Sequence, residues 1–258
     1  MKEFMKDSLT VRVFETREAM GKRAAADFKA AVRKLLEEKD HIRVIFAAAP
    51  SQNDFLKAAV EDPEIDFSRI DAFHMDEYVG LDHTAPQAFG QFLRDRIFDL
   101  RTFRSVTFLN GEDPDTDKTS ADYAARLNEE PIDIVCMGIG ENGHIAFNDP
   151  GFAKFDDPKD VKVVDLDDVC RMQQVHDGCF AAFDDVPAQA LTLTVPRLMR
   201  AQYHFCMVPA PTKAAAAYRM LTGDISEECP CTILREQPNA VLYLDSDSSR
   251  LLREDGIC

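Results

Sequence analysis

No stretch of this 258-residue chain is long and apolar enough to cross a bilayer as a helix. Lys2 and Lys6 are interrupted by Glu3 and Asp7, and no apolar core follows them, so no signal peptide is expected. There is no low-complexity linker and no internal repeat. The seven cysteines stand at 136, 170, 179, 206, 229, 231 and 258, an odd number with no zinc spacing. Cys229-Pro230-Cys231 is too tight for a C-x-x-C motif, and Cys136 and Cys206 lie in apolar runs that make them inert core residues. That usage fits a reducing, cytoplasmic protein. Basic residues are also short, 30 against 46 acidic, giving a net charge of −16. Such a field repels nucleic acid and anionic membrane, so neither is expected as a partner. It repels an anionic metabolite too, which would need local cations or helix N-termini to bind.

What is present describes an ordinary globular chain, with 45% hydrophobic and 29% charged residues. The length suits one large domain, residues 1–258. Strands are expected at 9–14, 42–47, 70–75, 106–109, 132–137, 202–208 and 240–244. Helices are expected at 17–38 behind a Thr16 cap, from Ser51 onward, from Pro86 to about Ile97, at 119–128 and at 212–222. The polar stretch 151–185 reads as irregular and could form a lid. Strands alternating with helices predict an α/β fold, a Rossmann-like, doubly wound, mostly parallel sheet.

Two segments carry the chemistry. Phe73-His74-Met75-Asp76-Glu77-Tyr78-Val79-Gly80-Leu81 and Met137-Gly138-Ile139-Gly140-Glu141-Asn142-Gly143-His144 each follow a buried strand. In open α/β sheets that carboxyl edge binds ligands. A shielded Asp76 suits a general base, and Glu77 beside it would point elsewhere and be structural. His144 follows a glycine-rich turn and is a residue type suited to proton shuttling, and Asn142 and Asp149 could orient it. The glycines also fit G-x-G-x-x-G, but no long helix is evident after them, which weighs against a dinucleotide. His74, Asp76 and His144 could hold a divalent ion, but no two-histidine helix spacing supports that. The expectation is therefore no metal and no cofactor. Lys213, opening a helix after Pro209-Ala210-Pro211-Thr212, suits an anion.

Together these motifs make the chain resemble the glucosamine-6-phosphate deaminase (isomerase) family, in a superfamily with 6-phosphogluconolactonase. Met75 to Leu81 and Gly143-His144-Ile145-Ala146-Phe147-Asn148 are the most specific matches, with weaker ones at Val186-Pro187, Ala190-Leu191-Thr192, Thr212-Lys213-Ala214 and Cys231-Thr232-Ile233-Leu234. The resemblance implies a Rossmann-like fold and a small sugar-phosphate substrate, and it leaves homo-oligomer formation open. It implies ring opening by His144, proton transfer between carbons 2 and 1 by Asp76, and release of ammonia. Asn142 and Asp149 then stand where the family often has an aspartate and a glutamate, and Lys213 matches a phosphate-binding lysine. The family's phosphate turn is rich in glycine and hydroxyls. Here that place reads Ala47-Ala48-Ala49-Pro50-Ser51-Gln52-Asn53-Asp54. Ser51, Gln52 and Gly143 remain as candidate substrate contacts, and Arg171 is the candidate for the family's lid arginine. A weakened phosphate grip is the consequence. The alternatives are a lactonase-like hydrolase, although Ala146 to Pro150 departs from the lactonase loop Ser-Leu-Phe-Pro, and a non-catalytic sugar-phosphate binder.

Overall fold

The computed structural model describes residues 1–176 and 178–258, apart from the side chains of Val169, Cys170 and Gln173. In chain order the elements are β1 (Lys2–Lys6), β2 (Leu9–Val13), α1 (Arg17–Leu36), β3 (Ile42–Phe46), α2 (Asn53–Glu61), β4 (Ile70–His74), β5 (Asp76–Tyr78) and α3 (Phe89–Leu93). Then follow β6 (Ser105–Thr107), α4 (Thr116–Asn128), β7 (Ile134–Met137), β8 (Val161–Asp165), α5 (Asp168–His176) and β9 (Gln189–Leu193). The chain closes with α6 (Val195–Met199), β10 (Tyr203–Val208), α7 (Ala214–Thr222), β11 (Ala240–Leu244) and α8 (Arg250–Glu254).

Strands β3, β4 and β7 are buried along their whole length, so both of their faces need cover. Alternation divides them between two cores. Val44 and Phe46 pack on one side with Phe28 of α1 and Phe55 of α2. Ile45 packs on the other with Leu127 of α4 and Met220 of α7. The main sheet has eight strands in the order β1-β2-β11-β10-β7-β3-β4-β6, and all pairings except β1–β2 are parallel. This is a mostly parallel, doubly wound α/β sheet. From β3 the chain builds outward through β4 and β6, then returns to β7 and builds the other way. The order therefore reverses between β3 and β7, where a crevice opens at the carboxyl ends.

Several elements differ from the sequence reading. β1 went unread because its Lys and Glu residues look like a solvated tail. It is a charged edge strand, turned onto β2 through Asp7 with φ of 53°. The stretch 151–185 is not irregular throughout, since it contains β8 and α5. β5, β9 and β8 form a second, antiparallel sheet of three strands. Pro86 precedes α3 and is not in its first turn. Beyond α3, Arg94–Phe98 winds as a π-helix.

Candidate functional site

A cavity of about 470 Å³ occupies the crevice between the ends of β3 and β7. Its wall includes Asp76, His144, Ser51 and Lys213, so four of the sequence-derived candidates meet at one space. Ala47 to Pro50 and Gly138 to Gly140 form the floor where the two strands end.

Asp76 sits at the break between two sheets. β4 runs in the parallel sheet to His74, the chain turns at Met75, and Asp76 opens β5 opposite Thr192. The break is fastened from below. His74 Nε2 accepts the Leu109 N–H at 2.8 Å, which leaves Nδ1–H to donate to the Asp76 carbonyl at 2.9 Å. Burial lowers the His74 pKa to about 4, so the ring is neutral near pH 7. Both ring nitrogens are thus committed to backbone, and the metal set of His74, Asp76 and His144 is not assembled. The one metal-compatible cluster among the described residues is the exposed Asp82, His83 and Glu112. Burial pushes the Asp76 carboxyl well above the ordinary range, and the neighbouring Glu77 charge adds to this.

Glu77 is structural, as its position implies. Its carboxylate accepts the N–H groups of Tyr78 and Phe89 at 3.0 Å and of Gly90 at 2.8 Å, capping the first turn of α3.

His144 is placed by the glycine turn. A Cβ on Gly140 would overlap the imidazole, so only glycine lets the ring lie over this backbone. Gly143 takes φ of 92°, and a Cβ there would meet Cys229 Sγ at 2.7 Å. His144 Nδ1 lies 2.9 Å from Asp149 Oδ1, at ion-pair distance but without hydrogen-bond alignment. Asn142 ties the loop together, accepting the His144 N–H at 3.0 Å and donating to Asp149 Oδ1 at 2.8 Å. Asn142, Gly143 and Asp149 therefore stand behind the histidine rather than on the cavity wall.

Two further candidates are also turned away. Gln52 is buried, with its amide nitrogen on Ser51 Oγ and the Met137 carbonyl. Arg171 donates to the carbonyls of Phe183 and Val186 and stacks on the Phe183 ring, off the wall. The lid reading does place part of its segment at the site, because Gln174, Gly178 and Cys179 line the cavity. The side chains of Cys170 and Gln173 from that stretch, and Asp177, lie outside the described residues.

Sequence reasoning missed several wall residues, among them Arg17, Arg96 and Ala210. Arg17 reaches in from the start of α1, bonded to Asp54 Oδ2 at 2.6 Å and to the Pro50 carbonyl at 2.8 Å. Its signal was a basic residue directly after the Thr16 cap. Arg96 reaches in from the π-turn, which no 3.6-residue periodicity could reveal. Ala210 has φ of 87° and ψ of 151°, rare for a residue with a side chain, with its N–H on Asp245 Oδ2.

A model of the family described as glucosamine-6-phosphate isomerases/6-phosphogluconolactonase matches residues 15–243. Glucosamine-6-phosphate deaminase of Leuconostoc citreum (strain KM20) is 34% identical over 196 residues, covering 75% of this chain and 80% of that one. The enzyme of that name from Bacillus cereus (strain B4264) is 32% identical over 191 residues, 74% of this chain and 71% of its own. Among solved structures, a monomeric glucosamine-6-phosphate deaminase superposes with a TM-score of 0.86 at 24% identity, covering 93% of this chain and 99% of that one. The 6-phosphogluconolactonase of Trypanosoma brucei gives 0.77 at 14% identity, over 94% of this chain and 98% of that one. At those identities the two structures speak to the fold alone.

Proposed function

Because the chain belongs to the glucosamine-6-phosphate isomerase/6-phosphogluconolactonase family, we propose that it is an aldose–ketose isomerase and deaminase of an amino sugar phosphate, with glucosamine 6-phosphate as the reference substrate. One observation carries the reading: a buried carboxyl with a raised pKa and a carboxylate-backed histidine face the same small cavity. A proton shuttled between adjacent carbons needs a group that both takes and returns it. A carboxyl desolvated toward neutrality does both, whereas an ordinary aspartate returns a proton poorly.

In this reading His144 moves the proton that opens the sugar ring. With Nδ1 lying 2.9 Å from Asp149 Oδ1, the other ring nitrogen is left for the ligand. Asn142 and Asp149 act through it as positioning residues. Asp76 then takes the proton from carbon 2; the electrons of that C–H bond form the carbon 1–carbon 2 double bond as the carbonyl π pair of carbon 1 moves to its oxygen, which takes up a proton to give an enolamine. Return of the proton to carbon 1 leaves an imine at carbon 2. Water adds there and ammonia departs, giving the ketose phosphate. Carbon 1 is reduced as carbon 2 is oxidised, so no external oxidant or reductant is needed, and His144 and Asp76 supply the proton movements. The proposal takes the enzyme to be cytoplasmic, which the scattered cysteines support.

Ammonia release and solvent-deuterium incorporation at carbon 2 test it. Asp76→Asn should abolish incorporation while substrate affinity stays within about tenfold, because the role lies in the transition state. His144→Gln should slow turnover of the cyclic sugar more than that of an open-chain analogue. Incorporation that persists in Asp76→Asn would sink the assignment. Hydrolysis of a phosphogluconolactone without ammonia release from any amino sugar phosphate would replace it with the lactonase reading.

A further inference from the structure

The turn after β3 carries methyl groups where close backbone approach to an anion would need glycine. Ala47, Ala48 and Ala49 all lie on the cavity wall. Side chains reaching toward an anionic ligand end are then its main charged contacts. Arg171 is committed to two carbonyls off the wall. Arg17 is on the wall, but its charge is offset by Asp54.

Arg96 is different. Its contacts are all neutral: Nε donates to Asn53 Oδ1 at 2.8 Å, Nη1 to the Phe92 carbonyl at 3.4 Å, and the guanidinium lies 3.7 Å over the Phe92 ring. Among the described residues no carboxylate pairs with it, in a chain where acidic side chains outnumber basic ones 46 to 30. Its Nη2 has no protein partner among the described residues. Asn53 is the first residue of α2, directly after the Ser51-Gln52 turn, so the group is pinned beside the alanine-lined turn. The π-winding of Arg94–Phe98 aims it there, and such single π-turns recur at functional sites.

We propose that Arg96 is the specificity-determining cation for the substrate's anionic terminus, a phosphate monoester, in place of a backbone cradle. Fixed by Asn53 and Phe92, it offers Nη2 to the phosphate oxygens with little ordering cost. Ser51 and Lys213 share the same wall. The inference rests on the sugar-phosphate reading of the cavity and assigns which residue reads the phosphate.

The test uses the full chain as wild type, Arg96→Met and Arg96→Lys, with inorganic phosphate as the calorimetric probe. Arg96→Met should weaken phosphate binding at least tenfold, the loss of about one charge-assisted contact. Arg96→Lys keeps the charge but not the fork and should weaken it severalfold. KM for glucosamine 6-phosphate should rise in parallel with kcat nearly unchanged, while the affinity for unphosphorylated glucosamine stays within twofold. Melting curves report whether Arg96→Met folds; if it does not, Arg96→Lys alone decides. Phosphate affinity within twofold of wild type in the folded variants, or no phosphate binding by wild type, overturns the proposal. Calorimetry needs no turnover, so the two readings fail separately. A wild type that releases no ammonia but loses phosphate affinity on Arg96→Met keeps the anion site and loses the deaminase.

Discussion

Burial raises the Asp76 carboxyl well above the ordinary range, with the Glu77 charge adding to the effect, and this has consequences for both rate and stability. As a base Asp76 must be deprotonated, so the acid limb of kcat/KM should fall at a higher pH than an ordinary carboxylate gives. Asp76→Asn should remove that limb along with the activity. The stability effect has a definite sign. A carboxyl whose folded pKa is raised binds its proton more readily folded than unfolded. Its ionisation therefore costs stability as pH rises from the unfolded pKa toward the folded one. Asp76→Asn should accordingly melt higher than wild type at pH 8, by roughly 2–4 °C if the relief is about 1 kcal/mol. The difference should shrink toward pH 5. A wild type more stable than the variant at pH 8 would show that the charge is compensated within the fold.

At the scale of elements, the site depends on how β4, β5 and α3 are joined. Tyr123 of α4 clasps the end of β4, accepting the His74 N–H at 3.0 Å and donating to the His74 carbonyl at 2.8 Å. His74 then fixes the Asp76 carbonyl, and Glu77 fixes the start of α3, from which the π-turn and Arg96 follow. Glu77→Ala removes an acceptor of three buried N–H groups. It should cost about 2 kcal/mol or more of stability. It should also raise KM for the phosphorylated substrate, because α3 carries the π-turn. Glu77→Gln keeps one acceptor oxygen and should recover part of both. Chemical denaturation and steady-state kinetics on the two variants check this, and a Glu77→Ala variant of unchanged stability would contradict the capping role.

Over the whole molecule, a net charge of −16 surrounds a cavity with arginine and lysine on its wall. The distant acids repel an approaching phosphate ester and the local cations attract it. Raising ionic strength from 0.01 to 0.15 M shortens the screening length from about 30 to about 8 Å, which removes the long-range part first. The association rate of a phosphorylated ligand should therefore rise or hold over that range, with the loss of affinity appearing in the dissociation rate. Stopped-flow binding measures both. A steep fall in the association rate with salt would mean that the cations govern the field at the entrance.

The chain's own residues determined the frame and half of the site. The mostly apolar stretches at 42–47, 70–75 and 202–208 suit strands of a parallel sheet covered on both faces. The glycines before His144 and the acid after β4 marked the carboxyl edge of that sheet. Local pattern also set the end of α1, where Thr16 accepts the Ala19 N–H at 3.1 Å. Tertiary structure decided which side chains face the ligand. Ser51 and Gln52 are neighbours, yet one lines the cavity and the other is buried against Met137. Arg171 and Arg96 look alike in sequence. One is spent on the carbonyls of Phe183 and Val186, while the other is aimed by a π-turn, Arg94–Phe98, that packs against α2. The second sheet was equally hidden, because β5 has three residues and gains its pairing only from β9, more than a hundred residues away. Periodicity reports which face a residue takes within its own element. Where a long polar side chain ends is set by the groups that other elements bring to meet it, and those contacts exist only once the chain has folded.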